Sequence, residues 1–397
     1  MKYWRGFLIA AILGGFSWAM MTFAETHTRL IDMVYPYLVR FIQGYLADWS
    51  GSVAFCLWQA LALVLVVGIL ASIVLAIVLR WNLIQLVGWY TAVASLLFFF
   101  HTAIYGMNGS AGPLAEDIQL PVTGFTVQEL ENATAYYRDK ANDLAVKVKR
   151  NADGTVDFPS FQELALQAED GFHSLVYDST YAVFAGSTAP VKELSWGDLW
   201  TSMSITGFTM PLTGEAAVNP TIPAVGLPFT MCHEMAHRMA ITQEQDANMA
   251  AFLACQANSS VEFQYSGYLM AYRYCYSALA SIGTEESKAA AQRISSKIGE
   301  ELYGDLSDWN TFFRTNRNES AAQIATVTND AYIKVSGDSR GVSSYGDVYI
   351  LLVCWHLDQV VRPTQVVEVT KFDPFDESQV DLNGYVNGPE ETVPPEE

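Results

Sequence analysis

Three long apolar runs near the start of the chain limit its fold more than anything else in it. They cover about 7–24 (Phe7 to Ala24), 53–79 (Val53 to Leu79) and 83–105 (Leu83 to Tyr105), almost without charge. At 1.5 Å per residue, a helix of that length crosses the hydrocarbon layer of a bilayer, whereas helices of a water-soluble core are shorter and one-sided. The chain is therefore expected to begin with a three-helix transmembrane region, residues 1–108, with the lipid bilayer as its first partner. For the first run a cleaved signal peptide is the alternative, because Thr22-Phe23-Ala24 ahead of Glu25 resembles a small-residue cleavage site. The uncleaved span is preferred for its apolar length and for the two further apolar runs after it.

Lys2 and Arg5 precede the first run, and Arg80 lies in the short turn between the second and third. Positive charges of this kind stay in the cytoplasm, so the N-terminus is expected inside a cell membrane crossed three times, with everything after Asn108 on the extracytoplasmic face. Between the first two runs, Leu38, Phe41, Ile42, Tyr45, Leu46 and Trp49 recur at helical spacing opposite Arg40, Gln43 and Asp48. This predicts an amphipathic helix over about 36–49, lying either on the outer membrane surface or against the soluble part.

Composition sets the remainder of the chain apart. The chain is 51% hydrophobic and 16% charged with a net charge of -20, yet its acidic residues crowd into the region after 108. Residues 109–362 are enough for one domain with its own core, and their pattern is mainly helical. Thr126 with Glu129 and Ser160 with Glu163 are capping boxes that open helices reaching about Lys149 and Asp178. Further helices are expected at about 243–256, 261–282, 285–303, 307–314, 319–334 and 344–357. Residues 196–228 differ, with four prolines and four glycines that forbid a long helix, so loops and a short hairpin are expected there. The acidic, proline-containing stretch 363–397 is expected to be a disordered tail. No phosphate-cradling glycine loop and no basic patch occurs, which speaks against nucleic acid as a partner. Of five cysteines, Cys56 lies in a span and Cys232, Cys255, Cys275 and Cys354 sit in apolar helical surroundings, so free buried thiols are expected.

The chemistry concentrates in Phe229-Thr230-Met231-Cys232-His233-Glu234-Met235-Ala236-His237. Two histidines four apart lie on one helix face, one turn from each other, so both imidazoles reach one ion while Glu234 stands at the ion's open side. The bland alternative is a surface helix that happens to carry two histidines. Against it, Met231, Met235, Ala236, Met239 and Ala240 make the surroundings apolar, and buried imidazoles need partners. A catalytic zinc takes three protein ligands. Glu244 and Asp246 are the candidates for the third, Glu244 being preferred. In one continuous helix a residue eleven positions after His233 would lie about 16 Å further along the axis, so the chain must turn back. Thr242 and Gln245 form a capping-box pattern, which predicts that one helix ends near Ala240 or Ile241 and another begins near Gln243. Glu244 then falls in its first turn, with Asn248 behind the carboxylate as an orienting group.

These segments, with Ser266-Gly267-Tyr268-Leu269-Met270-Ala271-Tyr272-Arg273-Tyr274 and Asp338-Ser339-Arg340-Gly341-Val342-Ser343-Ser344-Tyr345-Gly346, resemble the DUF3810 family of bacterial membrane proteins from the first span to about residue 360. The resemblance implies a membrane-anchored zinc metallopeptidase: an N-terminal membrane region, then a zincin-like domain of undefined substrate. Glu244-x-x-Ala247-Asn248 is also similar to a run in other zincin families whose first glutamate is the third ligand, which favours Glu244 over Asp246. Two departures stand out. The family often has glycine where Ala240 stands, which makes the reversal harder here, and glutamate where Asp246 stands.

The expected function is hydrolysis of peptide bonds in a peptide or protein. Zn2+ is held by His233, His237 and Glu244, and Glu234 acts as general base. Tyr345, Tyr268, Arg273 and His356 are candidate donors to the oxyanion, Tyr345 being preferred because it follows the glycine-rich turn. The 196–228 segment is the candidate for pairing with substrate backbone. Two rivals are a non-catalytic zinc-containing envelope sensor or scaffold and a zinc amidase acting on cell-wall peptides. An intramembrane protease is disfavoured, because Thr230, Arg238, Thr242 and Gln243 flank the motif.

Overall fold

In the computed structural model, which describes residues 2–335 and 340–363, the three apolar runs are helices α1 (Arg5–Thr26), α3 (Leu57–Val78) and α4 (Leu83–Ile104), with α2 (Thr28–Gly51) between the first two. Each of the three is long and apolar enough to cross a membrane. Small residues set how they pack. A Cβ on Gly6 would lie 2.3 Å from the Gly88 carbonyl carbon, and Ala10, Ser17 and Ala24 continue the same buried stripe, so α1 and α4 meet backbone to backbone. In contrast, α3 stands apart from this pair and touches α4 where the Ser72 and Tyr90 hydroxyls hydrogen-bond.

The α2 helix starts earlier than its pattern suggested and packs with the opposite face. Ile31, Tyr35, Val39, Gln43, Ala47 and Ser50 are turned inward, whereas Leu38, Phe41, Tyr45 and Trp49 are exposed. Close approach explains the choice. Gly214, with φ +67°, passes so near the α2 backbone that a Cβ would meet the Ala47 nitrogen at 2.6 Å, so a small residue suits the inner face at this crossing. Gln43, assigned to the water side by its pattern, donates to the Pro211 carbonyl at 2.9 Å.

The soluble part is mainly helical. After the short α5 (Leu114–Asp117) come α6 (Val127–Ala145) and α7 (Phe161–Leu175), each opened by its expected capping box and each ending a few residues early. A two-residue strand β1 (Lys192–Glu193) and α8 (Gly197–Ser202) lead to a hairpin, β2 (Gly207–Met210) and β3 (Glu215–Val218). Its order is β1-β3-β2, with β3 antiparallel to β2 and parallel to β1, so β2 is an edge. Then come α9 (Leu227–Arg238), α10 (Glu244–Ala257), α11 (Val261–Ser281), α12 (Glu285–Ser295), α13 (Glu300–Asn316), α14 (Glu319–Val335) and α15 (Val348–His356).

The break expected between 303 and 307 falls at residues 296–299 instead. There Asn142 of α6 accepts from Gly299 N–H at 2.8 Å and donates to the Lys297 carbonyl at 2.9 Å, a tertiary anchor that local sequence does not reveal. The expected tail, 363–397, lies outside the described residues from 364 onward, as does part of the glycine-rich turn, 336–339. All five cysteines are free and buried.

The core surrounds α9, α10, α11 and α6, where Met231, Met235, Phe252, Phe263 and Leu269 are fully buried. Gly267 lets α11 cross α10 closely, since a Cβ there would lie 2.6 Å from the Cys255 Cβ. Next to it, Ser266 accepts from the Phe229 N–H at 3.1 Å and donates to the Val225 carbonyl, which fixes the start of α9. The sheet in turn is joined to the membrane region. Buried Glu215 accepts from the Leu57 and Trp58 amides, the first N–H groups of α3, at 2.7 and 2.8 Å, and from Lys192 Nζ at 2.7 Å. Gln59 pairs with the Ser195 backbone through both of its amide atoms. These contacts supply the amides that a helix start leaves unsatisfied.

Candidate metal centre

The α9 helix begins with Pro228 in its first turn, where a missing N–H costs nothing, and carries His233 and His237 on one face. Their Nε2 atoms lie 3.1 Å apart. The helix ends at Arg238 by a Schellman reversal. Ala240 takes φ +71°, the Ala240 N–H bonds the His237 carbonyl, and the Ile241 N–H bonds the Ala236 carbonyl, both at 3.1 Å. The reversal brings Glu244, the first residue of α10, back to the histidines, with Oε2 3.3 Å from each Nε2. Thr242 and Gln245 make no capping box; the helix cap is Gln243, Thr242 turns to the Asn108 carbonyl, and Gln245 accepts from Arg340. The turn is held by tertiary contacts and not by the expected local pair.

These three ligand atoms form a near-equilateral triangle and could hold one metal ion. A tetrahedral ion with bonds of about 2.0–2.1 Å keeps its ligands about 3.3 Å apart, which the observed sides match. The donor set agrees. Glu244 Oε2 is buried and makes no hydrogen bond of good geometry among the described residues, an expensive state that a cation relieves. His237 Nδ1 lies 2.7 Å from the Ile241 carbonyl, so the loop that ends α9 also points the imidazole Nε2 at the centre.

Two carboxylates here are driven apart. Burial opposes ionisation of Glu244, yet the two imidazoles hold it well below the usual carboxylate range. Glu234, equally buried, is pushed upward by desolvation that its weaker partners do not offset. One suits a permanently charged ligand, the other a group that takes and gives a proton. Thr209 Oγ1 of β2 lies 2.8 Å from both the carboxylate and the backbone oxygen of Glu234. Beside it Gly207 passes so close that a Cβ would fall 2.4 Å from Glu234 Oε1.

The structure brings Tyr345 to the site and leaves its rivals elsewhere. The Tyr345 ring stacks on His233 with centroids 6.4 Å apart, and its hydroxyl accepts from Asn329 at 3.2 Å. Tyr268 and His356 pack among Tyr136 and Tyr137 in the core, and Arg273 stacks over Trp309. Asn248 does not stand behind Glu244; it donates to the Tyr345 carbonyl at 3.2 Å and so holds the Tyr345 loop. Asp246 points the other way, accepting from the Leu114 N–H at 2.9 Å, because the second and third positions of a helix cannot share a face with the first. Pattern reading missed Thr209, Asn329 and Tyr105, whose hydroxyl donates to the His237 carbonyl at 3.2 Å. Each arrives from a distant element, and only Thr209 lay in the segment already singled out for binding substrate.

The centre opens into a cleft of about 790 Å3, lined by the edge strand β2, by α14 and by the aromatic residues Trp58, Tyr105 and Trp200. A family model described as "Protein of unknown function (DUF3810)" matches residues 31–353. Neither the curated proteins nor the solved structures contain a match to this chain.

Proposed function

Since this chain belongs to the DUF3810 family, whose description assigns no activity, we propose its function from the site: it is a membrane-anchored zinc metallopeptidase with its catalytic domain outside the cell membrane. His233, His237 and Glu244 would hold the ion, and Zn2+ at such a site supplies Lewis acidity that makes a water nucleophilic near neutral pH. The chain's own groups do the rest. Glu234, held by Thr209 and raised by burial, takes the proton of the attacking water and returns it to the leaving amine. Tyr345, its hydroxyl kept protonated by burial, donates to the oxygen that gains charge. The free edge of β2 pairs with the extended backbone of the substrate and sets the scissile carbonyl beside Glu234.

The observation that carries this reading is Glu234 itself. A sensor or scaffold that keeps zinc for structure has no need of a buried carboxylate next to the ligands and facing a cleft. The test pairs metal content with peptidase activity in purified full-length protein. Wild type and Glu234→Gln are both expected to carry zinc, with turnover lowered about 10²–10⁴-fold in the variant, and Glu244→Ala is expected to lose the metal. Absence of zinc with His233 and His237 intact would sink the site. Full zinc with negligible turnover in both proteins would favour the sensor.

A further inference from the structure

The metal cleft is framed by the ends of two membrane helices. Trp58, the second residue of α3, packs on Trp200 and Phe208 at centroid distances of 6.0 and 5.4 Å and so belongs to the β2 wall. Tyr105, directly after α4, bonds the His237 carbonyl, and nearby His101 of α4 packs on Tyr332 of α14 at 5.6 Å. The cleft thus lies between these two helix ends, at the level where Trp and Tyr sit at a membrane surface.

From this level α3 and α4 run to their contact at Ser72 and Tyr90. Fourteen residues on α3 and fifteen on α4 separate that contact from Trp58 and Tyr105, about 21–22 Å of helix. Along this stretch Leu63, Val64, Leu65, Val66 and Val67 are all exposed, and five consecutive helical residues point in every direction around the axis. Among the described residues no neighbour covers α3 there, while α4 leans on α1. The two helices enclose a wedge that is open to lipid on one side and to the metal cleft at its wide end. The wedge is held open: Glu215, Lys192 and Gln59 fasten the start of α3 to the sheet, away from α4.

We infer that the substrate is a polypeptide anchored in the same bilayer, whose juxtamembrane segment passes sideways between α3 and α4 into the metal cleft. Two observations select this occupant. The α3 wall is apolar without interruption from Ala60 to Ala71, so it suits a membrane-embedded helix. The cleft at its end offers a free strand edge, which suits an extended segment leaving that helix. Cleavage of the segment rests on the peptidase reading; its sideways admission does not.

The test uses the full-length protein in lipid vesicles with two synthetic probes. One is an apolar helix of about 20 residues followed by an extended apolar segment, the other that segment alone. A photocrosslinking side chain is placed by Leu61→benzoylphenylalanine, within the wedge, or by Ile77→benzoylphenylalanine, beyond the Ser72 contact, each with Glu234→Gln so that bound probe survives. The anchored probe is expected to crosslink at position 61 and not at 77, and the unanchored one at neither. Wild type is expected to cut the anchored probe about tenfold faster or more, because sharing a bilayer raises its local concentration. Equal crosslinking at both positions, or equal cutting of both probes, would overturn the inference and leave the peptidase reading standing. Crosslinking at position 61 with neither probe cut would uphold it and count against the peptidase reading.

Discussion

At the scale of single residues, the site depends as much on a missing side chain as on those present. Gly207 has ordinary backbone angles, so its role is space: Glu234 Oε1 occupies the place of its Cβ. Gly207→Ala is therefore expected to displace Glu234 while His233, His237 and Glu244 keep their positions. Zinc content should stay at the wild-type level and kcat fall about 100-fold, the usual effect of moving a reacting group by about 1 Å. Wild-type turnover in the variant would show that Glu234 does not act from the position described. The sequence made His233, Glu234 and His237 legible because helical spacing alone puts both imidazoles within reach of one point. It left Gly207 and Thr209 as ordinary members of a glycine- and proline-rich stretch, since no local rule says that a strand will fold back over this carboxylate. Asn248 was misplaced for a related reason: spacing put it one turn after Glu244, and its partner came from the Tyr345 loop, 97 residues away.

At the scale of elements, the reversal between α9 and α10 decides whether a third ligand exists. Its position was legible because the distance along one helix forbids a shared ion, but its cause was not. Where a capping box was expected, the chain uses a left-handed Ala240 held by Asn108 and by the cluster of Ala24, Ile31, Tyr35, Val39 and Tyr105. A residue of this kind in the left-handed region costs about 1–2 kcal/mol, which glycine avoids. Ala240→Gly is expected to keep zinc. Ala240→Val is expected to lose about 10–100-fold in zinc affinity, because a β-branched residue resists φ +71° and shifts the Ile241 carbonyl that orients His237. A competition titration against a chelator checks both, and equal affinity in the two variants would mean that the reversal does not set the ligand geometry. The α2 helix makes a similar point about faces. Counting apolar residues found its aromatic side, but a helix crossed closely by another backbone needs a slim side where the two meet, and pattern alone does not rank those demands.

At the scale of the whole molecule, a buried carboxylate is central to the joint between the start of α3 and the sheet. Glu215 is 2% exposed and serves three donors, the Leu57 and Trp58 amides and the Lys192 ammonium, so it neutralises a helix start and a buried cation together. Nothing in the sequence marks it, because its partners lie 23 and about 158 residues away. Glu215→Ala leaves those donors without an acceptor, and breaking a buried ion pair from one side costs about 3–5 kcal/mol. Lys192→Ala is milder, since Glu215 keeps both helix amides, and the lost bonds to Ser50 and Phe55 are to carbonyls. Thermal unfolding of the solubilised protein is expected to rank wild type above Lys192→Ala, and Lys192→Ala above Glu215→Ala. The three ligand residues lie on α9 and α10 and none of them bonds to Glu215 or Lys192, so zinc content at low temperature is expected to be unchanged in both variants. If α3 is instead held by lipid alone, Glu215→Ala should unfold at the wild-type temperature. A clamp that can be removed without emptying the metal site would separate how the domain is fastened to the membrane from what its cleft does there.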